Sequence, residues 1–261
     1  MIGSSTKPVG FDRKISLAWI DAVAEWAAAG ESGKSIREKL DILLEGKVAE
    51  GNSGSAKGKT KTVLFHVWVS VPDRLKPLRD DGLALLRQQS GRTRLALHWG
   101  MCLVAYPFFK STAETVGRLL RLQGSAGAAE VGRRVQEQFG DRQVVARALQ
   151  RVLRTFVEWE VLRDTDIRGV YRAGSVISLN DSDVSAWLIE ATLMASGAET
   201  GLLQTIVNSP TLFPFELHGF HINHLRHNER LEYFRQGIDQ DVLMLRRNIQ
   251  VQTEVEAVQR L

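Results

Sequence analysis

Little in this sequence points to covalent or metal chemistry. It has a single cysteine, Cys102, which excludes an intramolecular disulfide and a zinc site built from thiolates and makes a reducing cytoplasm the natural setting. Long hydrophobic runs are missing too. The most apolar stretch, Leu95 to Phe109 (LALHWGMCLVAYPFF), is shorter than the roughly 20 residues of a bilayer span and carries His98 and Pro107. It is expected to be a buried core helix with His98 as a hydrogen-bonded core histidine, and no membrane partner is expected. The opening MIGSSTKPVG lacks the apolar heart of a secretion signal and reads as a loose tail. No G-x-S-x-G elbow occurs, and Cys102 lies in an apolar run that disfavours a thiolate. Asp80 with Asp81 and Glu158 with Glu160 lack the lysine of a nuclease-like carboxylate cluster. Neither catalytic residues nor a cofactor are expected.

Two patterns imitate chemistry. AAAGESGKS, residues 27–35, resembles a phosphate loop with Ala28 in place of the first glycine. Such a loop needs a strand leading in, so that backbone amides converge on the phosphates, whereas here a helix leads in. His218, His221, His224 and His227 recur every three residues, flanked by Glu216 and Glu229. On a helix that spacing drifts around the cylinder, so no complete metal site is expected; a metal-dependent enzyme built on this run is the weakest of three functional readings.

What is present is basic and helical. Hydrophobic residues make up 44% and charged residues 25%, as in ordinary globular proteins, yet the formal charge is +4. From Arg118 to Arg172 there are 11 arginines, no lysine and 7 acids, so the local excess equals that of the whole chain. Within this stretch, Asp141 to Glu160 reads as one helix capped by Asp141. Val145, Ala148, Leu149, Val152 and Phe156 share one stripe, and Gln143, Arg147, Gln150, Arg151 and Arg154 lie opposite. Two helices precede it, Thr112–Gln123 and Ala126–Phe139, the second ended by Gly140. Two strands follow, Val161–Asp164 and Gly169–Leu179, around the turn TDIRG. Three helices and a basic hairpin are the order of a winged helix-turn-helix, whose third helix enters the major groove. Arg makes bidentate contacts to guanine edges and phosphates that Lys does not.

The flanking regions divide as follows. Residues 1–110 are expected to form a helical domain: Ile15–Ala29, then a helix begun by the capping box SIRE with Ser35 as N-cap, a flexible basic loop 51–61 (GNSGSAKGKTK), and an ambiguous Thr62–Val71. Residues 111–180 form the winged helix-turn-helix. Residues 181–261 form an α/β extension: a helix capped by Asp181 or Asp183, a short helix Glu199–Asn208, a strand-like Phe213–Phe220, a polar helix Asn223–Gln236 and a strand Val242–Leu245. That order fits a degenerate second winged-helix-like unit. The fold class is therefore mainly α, with tandem small helical domains.

The order of KISLAWIDAVAEW, GSAKGKTK, LALHWGMCLVAYPFF and VARALQRVLRTFVEWEVLRDT is similar to that in the small accessory A proteins of bacteriophage-exclusion (BREX) defence systems. The resemblance spans roughly Lys14 to Met194 by element order and does not reach the histidine run. It implies chained helical domains with a winged helix, DNA binding, and other defence-system proteins as partners. The expected function is non-enzymatic binding of double-stranded DNA. Arg142, Gln143, Arg147, Gln150, Arg151 and Arg154 lie in the groove, and Arg168, Arg172, Lys57, Lys59 and Lys61 lie on phosphates. The rival is an adaptor or scaffold subunit that uses the same fold to hold proteins.

Overall fold

A computed structural model describes residues 7–50, 54–218, 220–226, 228–237 and 240–246. The chain is mainly helical with small sheets. Its first half runs α1 (Leu17–Ala28), α2 (Gly33–Leu43), α3 (Ala56–Trp68), a 3-10 turn (Asp73–Leu75), α4 (Lys76–Gln88) and α5 (Thr93–Ala105). Next come α6 (Pro107–Gln123), β1 (Ala126–Gly127), α7 (Ala128–Phe139), α8 (Gln143–Glu158), β2 (Leu162–Asp164), β3 (Val170–Ala173) and β4 (Ile177–Leu179). The last part holds α9 (Ser182–Ser196), β5 (Thr200–Leu202), α10 (Leu203–Val207), a 3-10 turn (Pro210–Leu212), β6 (Phe215–Leu217), α11 (Ile222–Arg226), β7 (Leu231–Gln236) and β8 (Gln240–Leu245).

Two stretches share one arrangement. In the first, α6, α7 and α8 carry β1 between the first two helices and the β2–β3 hairpin after the third, and the antiparallel strands lie in the order β1-β3-β2. In the second, α9, α10 and α11 carry β5 and the β7–β8 hairpin in the corresponding places, ordered β5-β8-β7. β4 and β6 pair in parallel and tie the two stretches together. Residue 110, the expected domain boundary, falls inside α6, and one cluster of buried apolar side chains runs from Val9 to Phe215. A smaller cluster, including Ile189, Leu193, Leu203, Leu231 and Leu243, serves the second stretch.

Several local expectations change. Residues 51–53 lie outside the described residues, but from Ala56 the basic segment is helix α3, capped by the Ser55 hydroxyl accepting from Gly58 N at 3.1 Å; the flexible loop does not reach Lys57. The apolar Val63, Leu64, Val67 and Trp68 are buried along α3 and decide the ambiguous stretch for helix. α2 starts earlier than the expected capping box, with Ser32 as N-cap accepting from Ser35 N. Asp141 does not cap α8, whose N-cap is Arg142 without a side-chain bond; Asp181 does cap α9. Of the tail, residues 7–10 are described, and Val9 is buried. The single strand expected over Gly169–Leu179 is two, in different sheets. Gly174 lies between the two, where a Cβ would meet the Glu160 carbonyl oxygen at 2.1 Å. The polar helix expected over Asn223–Gln236 is only α11, and Leu231 onward pairs as β7, since its buried Leu231 belongs to the second cluster. Glu199–Asn208 likewise splits into β5 and α10.

His98 is the core histidine that was expected. Trp68 Nε1 donates to its Nδ1 at 3.1 Å, which leaves Nε2–H to donate to Asp21 Oδ1 at 3.1 Å. Burial pushes the His98 pKa below its ordinary 6.5, against the opposing pull of Asp21. Burial also raises the Asp21 pKa, but His98 and Arg94 outweigh it and the net shift is downward. Below about pH 6.5 the unfolded chain takes up a proton at this histidine that the folded chain refuses, so folding stability falls with pH there. The urea midpoint should drop between about pH 7 and about pH 5.5, and less steeply in His98→Asn; an equal slope in both proteins removes His98 as the cause.

Gly117 on α6 admits the 3-10 turn of Pro210–Leu212: a Cβ there would lie 2.0 Å from the Pro210 carbonyl oxygen. Because backbone has to move, Gly117→Ala should lower stability by about 1–3 kcal/mol, measured as a reduced Tm. An unchanged Tm would mean that the turn does not close on α6 in solution.

Candidate nucleic-acid interface

α8 owes its position to its apolar stripe. Val145, Ala148, Leu149, Val152, Leu153 and Phe156 are buried, together with Thr155, while Gln143, Arg147, Gln150, Arg151 and Arg154 are exposed. The helix thus buries and presents the faces that its 3.6-residue period assigns. No acid lies in its first turn.

An extended N-terminal segment runs beside it. Arg142 Nη2 donates to the Lys7 carbonyl at 3.1 Å near the start of α8. Toward its end, Ile15 N donates to Thr155 Oγ1 and Trp159 Nε1 donates to the Ile15 carbonyl, each at 3.0 Å. Val9, Phe11 and Ile15 are buried, and Arg13 stays partly exposed. Between this segment and the polar face of α8 lies a cleft of about 640 Å³, lined by Arg13, Lys59, Gln143, Arg147, Gln150 and Arg151 among others. Asp12 is the acid facing Lys59, at 3.9 Å.

The expected contact residues separate into free and committed. Among the described residues, the side chains of Arg147, Arg151, Gln143 and Gln150 have no hydrogen-bond or ion-pair partner. Arg154 is committed: its Nη1 donates to both Asp164 oxygens, at 2.8 and 2.9 Å, and this carboxylate raises its pKa. Arg142 spends its guanidinium on the Lys7 and Phe139 carbonyls and stands outside the helix. Lys57 pairs with Glu50 at 2.9 Å and Lys61 with Asp41 at 2.6 Å, so neither is a loose phosphate clamp. Lys59 joins the cleft instead.

The hairpin adds cations in a second row. Arg168 is exposed in its turn, and Arg172 on β3 stands directly opposite Arg163 on β2. Like charges placed opposite on one sheet face repel, and neither guanidinium has a partner among the described residues. Arg163 and Arg13 are the residues that sequence reasoning missed. Strand register was needed for the first. For the second, Val9, Phe11 and Ile15 alternating with Gly10, Asp12 and Lys14 was a readable signal of a half-buried extended segment, on whose apolar side Arg13 is the one charged position.

Burial pushes the Cys102 thiol far above its ordinary range, which removes it as a nucleophile. His218 contacts Glu216 at 3.1 Å and His224 contacts Asp183 at 2.8 Å; His227 lies outside the described residues. Among the described residues no group of three or more His, Cys, Asp or Glu side chains is placed to hold a metal ion. A second pocket of about 680 Å³ is lined by Asp81, Asp183, Trp187, His224, Glu229 and Arg230 among others. Arg230 is spent there on the buried Glu190, at 2.6 and 2.9 Å, and on Asp81 at 2.6 Å. No helix among the described residues is long and apolar enough to cross a membrane. Comparison with protein-family models, curated proteins and solved structures gives no match.

Proposed function

We propose that this chain is a non-enzymatic protein that binds double-stranded DNA, with residues 107–179 as a winged helix-turn-helix and α8 as the helix that enters the major groove. The observation that carries the reading is the pair Arg147 and Arg151. They are exposed, one turn apart on a helix with a buried apolar stripe, and without partners among the described residues. Support comes from the order of helices and strands around α8 and from the facing Arg163 and Arg172 on the hairpin. Duplex affinity rests on cations neutralising phosphates, and an unpaired guanidinium is free to do so without first breaking an internal bond. A place among the accessory proteins of a bacteriophage-exclusion system rests on the resemblance in element order alone.

The second reading, an adaptor subunit that docks proteins, draws on the pocket between α4, α9 and α11. Its Asp81, Asp183 and Glu229 make it a poor host for a polyanion.

Titration against random-sequence duplex at two salt concentrations separates the two. Arg147→Ala with Arg151→Ala should cost about 3 kcal/mol, roughly two orders of magnitude in Kd, and flatten the slope of log K against log salt by about 2. Arg154→Ala should cost less, about threefold, because Asp164 already neutralises that charge. If the double variant binds as the parent does, α8 is not the interface; if the parent fails to bind duplex at low salt, the adaptor reading takes over.

A further inference from the structure

We propose that the N-terminal segment is a working part of the interface: Arg13, together with Lys59 of α3, grips the phosphate backbone that flanks α8. This rests on the reading of α8 as the helix in the major groove. With its side chains a helix is about 10–12 Å across and the major groove is about 12 Å wide. A helix that enters the groove therefore has a sugar-phosphate strand along each flank. On one flank of α8 the protein has built the cleft of about 640 Å³, whose far wall is the extended segment and the N-terminal part of α3.

The chemistry of that wall suits a phosphate. Arg13 makes one marginal bond, Nη1 to the Asp12 carbonyl at 3.3 Å, and its Nε, like those of Arg79, Arg134 and Arg142, is buried without a hydrogen bond. A buried donor left unmatched is costly, and a phosphate accepting from the guanidinium fork would relieve it. Lys59 is half exposed, and its only counter-charge among the described residues is Asp12 at 3.9 Å, a loose pair. The segment is also held in place in advance. Buried Val9, Phe11 and Ile15 pin it, and the bonds from Arg142, Ile15 and Trp159 fix it at both ends of α8. Presenting Arg13 from a fixed backbone avoids most of the ordering cost that a flexible arm incurs on binding. Asp12 works against the site, because its carboxylate lies 3.9 Å from Lys59 and repels the strand.

The two neighbours thus have opposite expected effects. Arg13→Ala should weaken binding about tenfold, equally for duplexes of different sequence, and flatten the salt slope by about 1. Asp12→Asn should tighten binding by about two- to threefold, an outcome that misfolding does not produce. Both are read by fluorescence anisotropy with the full chain and a labelled random-sequence duplex, beside the Arg147→Ala, Arg151→Ala protein. If Arg13→Ala leaves affinity and slope unchanged while the α8 variant loses both, the segment is scaffolding only and this inference falls, with the α8 reading intact. An Asp12→Asn protein that binds no better than the parent also overturns it. If neither Arg13→Ala nor the α8 variant changes binding, both readings fail together.

Discussion

The position of α8 depends on how Trp99 is packed. The indole lies in the middle of α5 and meets the rings of Phe109 on α6, Phe156 on α8, Trp159 just beyond α8, Phe213 just before β6 and Phe215 at its start, at centroid distances of 5.0–6.2 Å. Its Nε1 donates to the Thr211 carbonyl at 2.9 Å, so its polar atom is satisfied while the ring stays dry. Aromatic pairs of this kind add about 0.5–1.5 kcal/mol each beyond the area they bury. Because they radiate from one side chain, they fix several elements against each other at once. α8 cannot turn its arginine face inward without withdrawing Phe156 from this cluster. Trp159 passes the constraint on, since its ring packs in the same junction and its Nε1 holds the Ile15 carbonyl of the N-terminal segment. The cleft beside α8 is a consequence of aromatic packing beneath it.

Given that frame, the pattern of paired and unpaired cations carries information that total charge does not. The protein has acids enough to neutralise individual arginines and does so where the fold needs them: Arg94 between Asp21 and Glu25, Arg230 against Glu190 and Asp81, Arg154 against Asp164. Arg147, Arg151, Arg163 and Arg172 are left without such partners among the described residues. Unmatched like charges on neighbouring elements repel and contribute nothing to folding, so their arrangement on α8 and the hairpin does not follow from stability.

The sequence made some of this legible and hid the rest for definable reasons. α8 was readable because burial on one side of a long helix writes a 3.6-residue period into the chain, and the hairpin because two short strand-like segments flank the turn TDIRG. The fates of Lys57, Lys61 and Arg154 were not readable, since Asp41, Glu50 and Asp164 reach them only through tertiary placement or helix-to-strand geometry that composition does not encode. The three lysines also share a glycine-rich segment whose local signal is that of a linker; the burial of Val63, Leu64, Val67 and Trp68 further along draws that segment into α3. The sequence of β7 reads as helix because the stretch is polar on the exposed side and contributes little but Leu231 to the interior. Its pairing with β8 comes from a partner later in the chain, and no local propensity announces it.

The recurrence of one strand order, β1-β3-β2 and then β5-β8-β7, makes the chemical contrast between the two stretches instructive. In the first, the third helix has 16 residues and spans about 24 Å. In the second, its counterpart α11 has 5 residues, about 7.5 Å, and anchors itself through Leu225. Its His224 is engaged by Asp183 at the mouth of an acid-lined pocket. The same scaffold therefore presents a long cationic surface in one copy and a short, internally satisfied one in the other. Backbone arrangement fixes where a third helix stands. What differs is the length of that helix and which of its charges the protein leaves unanswered: α8 keeps Arg147 and Arg151 without partners among the described residues, whereas His224 of α11 is engaged by Asp183.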